Sequence, residues 1–245
     1  MTPRFRPVTL IGVLLCASFA HGAVQLSEKP AFREPLPDLA TLVRGSAMKN
    51  ANLSEKQCRA QLKDRGLAHQ RVYGGAQGIA TPLRLTGPIN DVKFLTAGPK
   101  SKFSLLDCRI ALSLTELSAV LAAHDVAEIR IDSFYRPKAH LYGRKRSKLS
   151  QHAYGLAMDV TAFKLKDGRT LEVERDFHGK IGEPVCGPGA ELTPVTPEAT
   201  ELRNIVCAIA RTGMFHNVLT PNYNTAHKNH FHFDITRNAK TIGVR

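Results

Sequence analysis

Two separated clusters of metal-ligating side chains limit what this chain can fold into more than any other feature. One is Ser150-Gln151-His152-Ala153-Tyr154-Gly155-Leu156-Ala157-Met158-Asp159; the other is His227-Lys228-Asn229-His230-Phe231-His232-Phe233-Asp234. A catalytic zinc takes three protein ligands from His, Asp or Glu and keeps a fourth position for water. His152, Asp159 and His232 are the candidate ligands, so the fold must bring the two clusters together. Either cluster alone is a weak signal, and His227, His230 and His232 alone read as a satisfied hydrogen-bond cluster on a strand. Occurring together, each on a predicted strand or at its entry, they point to zinc.

Leu156 to Phe163 reads as a strand entered from a turn at Gly155. Side chains alternate along a strand, so Asp159 shares a face with Ala157 and Thr161, while Met158, Val160 and Ala162 face the other way. His230 to Ile235 alternates polar and apolar at period two. His230, His232 and Asp234 then share one face, and Phe231, Phe233 and Ile235 fill the core on the other. His69, His124, His140, His178 and His216 lack partners at ligand spacing and are read as structural.

Ser-x-His-x6-Asp followed by His-x-His resembles the pattern of the zinc peptidases grouped as lysostaphin, D-Ala-D-Ala metallopeptidases and the Hedgehog signalling domain. The longer form His-x2-His-x-His is similar to that of penicillin-insensitive murein endopeptidase. Leu149 to Phe163, with Pro221-Asn222-Tyr223-Asn224-Thr225-Ala226-His227 through Asp234, resembles the bacterial extensin-like C-terminal domain family. That resemblance extends more thinly from about Cys58 to Ile235. It implies an α+β domain with a small antiparallel sheet backed by helices, like the D-Ala-D-Ala metallopeptidases. It also implies zinc-dependent hydrolysis of stem-peptide or cross-link bonds in peptidoglycan, most simply as a D,D-endopeptidase.

The same resemblance assigns roles. His230, two residues from His232 on one face, is the implied general base. His227 is implied to hydrogen-bond the tetrahedral intermediate or help protonate the leaving amine. Glu128 to Phe134 alternates as a strand and runs into Tyr135-Arg136, a step similar to one upstream of the zinc motif in that group. Arg136 is thereby a candidate for holding a substrate carboxylate or a developing oxyanion, which a guanidinium fork suits. The plainer reading is a surface Arg at a strand end. Asp234 either orients His232 or is a surface Asp at a strand end. Ser150 is read as fixing the His152 loop, and Tyr154 and Tyr223 as lining the cleft or buried.

Arg4 and Arg6, the apolar run Val8 to Ala20, and small residues at Ala20, Gly22 and Ala23 read as a secretory signal. An uncleaved anchor is the alternative, though the run is short for a membrane span. Residues 1–23 are thus the signal, 24–53 a linker or N-terminal arm, and 54–245 the domain. Losing Arg4 and Arg6 lowers the formal charge of +13 by two. The remaining positive charge suits an anionic wall polymer in the bacterial periplasm. Nucleic acid fits the charge but not the secretory signal, and no basic–aromatic interleaving occurs. Four cysteines remain, Cys58, Cys108, Cys186 and Cys207, an even count that points to disulfides in a secreted chain. Of three connectivities, Cys58–Cys108 with Cys186–Cys207 is preferred, each pair bracketing one half of the chain. Free buried thiols are the alternative.

Along the rest of the chain, Ser54 and Gln57 form a capping box for a helix stopped by Gly66. Gly74 to Gly78 is a turn-rich break. Thr81 to Thr86 reads as an edge strand, because Pro82 cannot donate to a ladder. Asp107 to His124 is the strongest helix, with Ile110, Leu114, Leu117, Val120 and Leu121 at helical spacing. Gly143 to Lys148 is a basic loop: a solvated face, or an attractor of anionic polymer at the mouth of the site. Asp167-Gly168 marks a hairpin between Phe163–Lys166 and Arg169–Val173, and Phe177 to Pro194 is a loop. Thr196-Pro197 opens a helix that Gly213 stops. The expected protein is a zinc peptidase of the cell wall. The alternative is a non-catalytic wall-binding module with a structural zinc.

Overall fold

The computed structural model describes residues 31–74, 76–98, 100–141 and 148–245. The expected signal over 1–23 lies outside the described residues, as does most of the basic loop. The described part of the arm is folded onto the domain. It carries α1 (Leu39–Leu42) and α2 (Ser46–Asn52), and buries Phe32, Ala47 and Ala51 in the main core. Its docking depends on two glycines. A Cβ on Gly45 would lie 2.4 Å from the Gly213 carbonyl oxygen, and one on Gly213 would lie 2.3 Å from that of Leu42. Gly213 also sits at φ +67°, a region that side chains disfavour.

The longer helices begin where the sequence offers caps. α3 (Glu55–Asp64) has the full Ser54/Gln57 capping box. After β1 (His69–Arg71), β2 (Pro82–Leu85), β3 (Lys93–Leu95) and β4 (Leu106–Asp107), Asp107 caps α4 (Cys108–Ala123) by accepting from the Arg109 amide. Ile110, Leu114, Leu117 and Leu121 of α4 are fully buried, as the spacing requires. β5 (Val126–Ser133), β6 (Ala157–Leu165) and β7 (Thr170–Glu172) follow. The chain after the hairpin turn departs from the expected strand: Val173 opens a short helix, α5 (Val173–Asp176). α6 (Pro197–Arg211) has Thr196 at its cap and proline at its first position. β8 (Asn217–Leu219), β9 (Phe231–Asp234) and β10 (Gly243–Val244) complete the described elements.

The architecture is α+β, but the sheet is neither small nor purely antiparallel. Seven strands run in the order β10-β8-β9-β6-β5-β3, with β7 added to β6. The centre is antiparallel, whereas both ends are parallel pairs, β3 with β5 and β10 with β8. These end strands are two or three residues long, too short to show a period in the sequence. A second sheet has the order β1-β2-β4, which places the expected edge strand in the middle. Pro82 is tolerated there because it is the first residue of β2, and its carbonyl accepts from the Val72 amide.

Both expected disulfides are present. Cys58–Cys108 ties α3 to the start of α4, and Cys186–Cys207 ties the 177–194 loop to α6. Arg203, fully buried, adds a second tie to that loop. It donates to the Val185 carbonyl at 3.1 Å and lies 4.3 Å from the centroid of the Phe177 ring. No helix among the described residues is long and apolar enough to cross a membrane.

Candidate metal centre

β6 and β9 pair in a register that sets Asp159 directly opposite His232 and Ala157 opposite Asp234. Phe231, Phe233 and Ile235 are buried on the other side, as the alternation requires. His152 arrives from a 3-10 helix, Gln151–Tyr154, capped by Ser150, whose hydroxyl accepts from the His152 amide at 3.3 Å. Gly155 closes that turn at φ +62° and delivers the chain into β6. Ser150 therefore fixes the loop as expected.

Three atoms converge. His152 Nε2 lies 3.0 Å from Asp159 Oδ1 and 3.2 Å from His232 Nδ1, and His232 Nδ1 lies 2.9 Å from the same Oδ1. All three residues are buried. The outer ring nitrogens are committed elsewhere. His152 Nδ1–H donates to the Phe134 carbonyl at 3.0 Å, and His232 Nε2–H donates to Asp234 Oδ2 at 3.0 Å. Two imidazole lone pairs and a carboxylate oxygen thus face one another with no donor among them. Buried acceptors do not cluster this way without a cation or a proton between them.

The electrostatics give the same answer. Burial opposes charge on Asp159, but the two imidazoles of His152 and His232 beside it outweigh that and hold the carboxyl well below its ordinary range. Burial likewise opposes a proton on His232, and the hydrogen bonds and charges of Asp159 and Asp234 raise it to about 9. Burial keeps His152 low despite Asp159. His232 therefore keeps its proton at the point where the three atoms converge.

The histidines beyond the group line its open side. His230 lies one residue ahead of β9, with Nε2 3.5 Å from Asp159 Oδ1 and Nδ1–H donated to Asn229 Oδ1 at 2.9 Å. His227 donates Nδ1–H to Asn224 Oδ1 at 2.7 Å, and its ring centroid is 5.1 Å from that of His230. Burial lowers both, His227 to about 4 with help from His232 and His230. Tyr223 packs edge-on against His227 at 5.3 Å, while Tyr154 is partly exposed beside the His152 turn. Arg136 reaches the site: its Nη2 lies 2.9 Å from Asp159 Oδ2. Asp234 is no surface residue. It is buried and held by Asn217 Nδ2 at 3.0 Å and Thr236 Oγ1 at 3.1 Å.

The sequence reading missed the supports. Asn229 beside His230, and Asn224 three residues before His227, were legible as local side-chain partners. Phe134, whose carbonyl orients His152, and Asn217, which holds Asp234, act across the sheet and left no local signal. His216, read as structural, is buried, accepts from the Thr236 amide and faces Met48 Sδ.

These atoms define a buried His-Asp-His group able to hold a metal ion, the one such group among the described residues whose ligand atoms all lie within 4.8 Å of one another. The chain belongs to the family described as extensin-like protein C-terminus, whose model matches residues 56–244 and so spans both clusters. Curated proteins give no match to the chain.

Proposed function

We propose that this chain is a zinc-dependent peptidase of peptidoglycan, hydrolysing stem-peptide or cross-link bonds as a D,D-endopeptidase in the periplasm. The observation that carries the reading is the trio of inward-facing acceptors. Zinc with N and O ligands near 2.0–2.1 Å puts neighbouring ligand atoms about 3.3 Å apart in a tetrahedron. The three separations of 2.9, 3.0 and 3.2 Å approach that edge. Two His and one carboxylate are a catalytic donor set, whereas structural zinc sites are closed by four ligands. The sequence resemblance to murein endopeptidase and the D-Ala-D-Ala metallopeptidases supplies the substrate class, and with it a Hedgehog-like core for the sheet and its helices. The two disulfides fit an oxidising compartment.

Bound zinc supplies Lewis acidity and brings the pKa of water to about 7. The chain's own residues do the rest. His230 is neutral because burial lowers it, and its Nδ1–H is committed to Asn229, so Nε2 faces the site as a proton acceptor. It takes the proton from the attacking water. His227, at stacking distance and equally neutral, keeps a second proton off the pair. The single proton then passes to the leaving amine. Asp234 fixes the His232 tautomer.

The test is incubation of the mature protein with muropeptides, with and without chelator, followed by mass analysis. Wild type is expected to cleave a stem-peptide bond only with metal. His230→Ala should keep its zinc and lose about 10²–10⁴-fold in rate. Wild-type rates in that variant would exclude His230 as the base. A fully zinc-loaded wild type that cleaves nothing would turn the reading to the wall-binding module, which peptidoglycan pull-down with His230→Ala would then support.

A further inference from the structure

Asp159 has two carboxylate oxygens, and the structure uses them for different things. Oδ1 faces His152 Nε2 and His232 Nδ1, while Oδ2 is taken by Arg136 Nη2 at 2.9 Å. The Arg136 main chain contributes as well. Its amide donates to the His152 carbonyl at 3.1 Å, closing the turn that carries this ligand. Two residues earlier, the Phe134 carbonyl accepts His152 Nδ1–H. Between them Tyr135 is buried, with its hydroxyl donating to the Gln77 carbonyl at 2.7 Å, and the Phe134 amide donates to the Phe103 carbonyl at 2.8 Å. Phe134 and Tyr135 therefore anchor the segment on one side, and Phe134 and Arg136 hold two of the three candidate ligands on the other.

We infer that Phe134–Arg136 is the outer cradle of the metal centre, and that Arg136 is a positioning residue holding Asp159 as a one-oxygen ligand. A carboxylate bound through both oxygens would need Oδ2 turned toward the metal, and the Arg136 ion pair holds it away. The role differs from binding a substrate carboxylate: the guanidinium serves the ligand set before any substrate arrives. The inference rests on the metal reading of the site but not on the peptidase reading.

A positive charge near a cation also repels it, so the sign of the effect needs an argument. The Arg136 side chain is 43% exposed, so solvent screens its repulsion of the ion. Asp159 is 2% exposed, so an unpartnered Oδ2 would be left buried or would swing the carboxylate out of register. Orientation outweighs repulsion on these terms.

The experiment titrates metal-stripped wild type, Arg136→Gln and Arg136→Lys with zinc against a competing chelator, without substrate. Cobalt-substituted samples report ligand number through their visible spectra. Arg136→Gln is expected to bind zinc about 10–100-fold more weakly, the usual effect of losing such an outer partner. Its cobalt spectrum should shift toward a higher ligand number as Oδ2 joins the ion. Arg136→Lys should fall between the two, because an ammonium keeps the charge but not the guanidinium geometry that sets Nη2 2.9 Å from Oδ2. It also serves as the reading if the Gln variant does not fold. Equal or tighter zinc binding by Arg136→Gln, with an unchanged cobalt spectrum, overturns the inference and returns Arg136 to substrate binding. A wild type that binds neither metal overturns this inference and the proposed function together. A wild type that binds zinc tightly, loses it in Arg136→Gln and cleaves nothing upholds the cradle and removes only the peptidase.

Discussion

The proton held at His232 makes the metal-free fold sensitive to pH in a direction that can be worked out. Its pKa is about 9 in the folded chain against an ordinary value of 6.5. At about 1.36 kcal/mol for each pKa unit, that difference is worth about 3 kcal/mol. The side chain is only 9% exposed, so solvent screening takes little from this figure. Because the folded value is raised, the contribution is complete below pH 6.5 and disappears as pH rises through about 9. His152, His216, His227 and His230 are all held low, chiefly by burial, so they add stability as pH rises toward 6.5 and nothing above it. Asp159 is held well below 3.8 and is constant across the same window. Stability of the chelated protein should therefore peak near pH 6.5 and fall by about 3 kcal/mol between pH 6.5 and about 9.5. Urea unfolding at 25 °C with both disulfides intact measures this directly. Asp234→Asn should shrink the fall, since it removes one of the two carboxylates that hold the proton. Zinc should abolish it by taking the proton's place at Nδ1, and zinc affinity should itself rise with pH over the window. A chelated profile that is flat or rising from pH 6.5 to 9.5 would refute a proton at His232, and with it the argument that the inward-facing acceptors demand a cation.

Three further outcomes follow from the candidate ligands and the crosslinks. His152→Ala should lose bound zinc and activity together, and elemental analysis showing unchanged zinc would remove His152 from the ligand set. All four of Cys58, Cys108, Cys186 and Cys207 should resist alkylation in denaturant until reduced, and freely reacting thiols would sink both pairings. The loops closed span 50 and 21 residues. Loop-closure entropy then gives about 4 kcal/mol for removing Cys58–Cys108 and about 3 kcal/mol for removing Cys186–Cys207. Urea unfolding of the paired Ala variants should show that order.

What was legible in the sequence followed local chemistry. The capping box at Ser54 and the Thr196-Pro197 start marked α3 and α6, because each is settled within four residues, and the helical spacing from Ile110 to Leu121 marked α4. The turn at Gly155 and the alternation around Asp159 and His232 marked β6 and β9 for the same reason. The misreadings lie where structure is set from a distance. Pro82 was read as an edge signal, yet its place at the head of β2 let a central strand accept it. β3, β8 and β10 exist because longer neighbours offer them ladders, and three residues or fewer carry no period. Of the two readings of Asp234, the surface one fails because Asn217 and Thr236 close over it, and the other holds, with Oδ2 accepting from His232.

The site itself shows why pattern reached so far and then stopped. Two of the three candidate ligands are a directly opposed cross-strand pair, Asp159 with His232. Such pairs hold their Cβ atoms roughly 4.5–5.5 Å apart, a span from which both side chains can reach one ion. Alternation told which face each residue takes. It could not tell that these two residues stand opposite each other. Register does that, and register is fixed by the apolar face: Met158 is opposite Phe233 and Val160 opposite Phe231, all four fully buried. A slip of one residue would turn that buried set toward the site and send Asp159 into the core. The packing of four apolar side chains thus sets the distance between two candidate metal ligands. A substitution such as Phe233→Ala therefore acts on the site through register as well as through the roughly 3–5 kcal/mol of lost core packing.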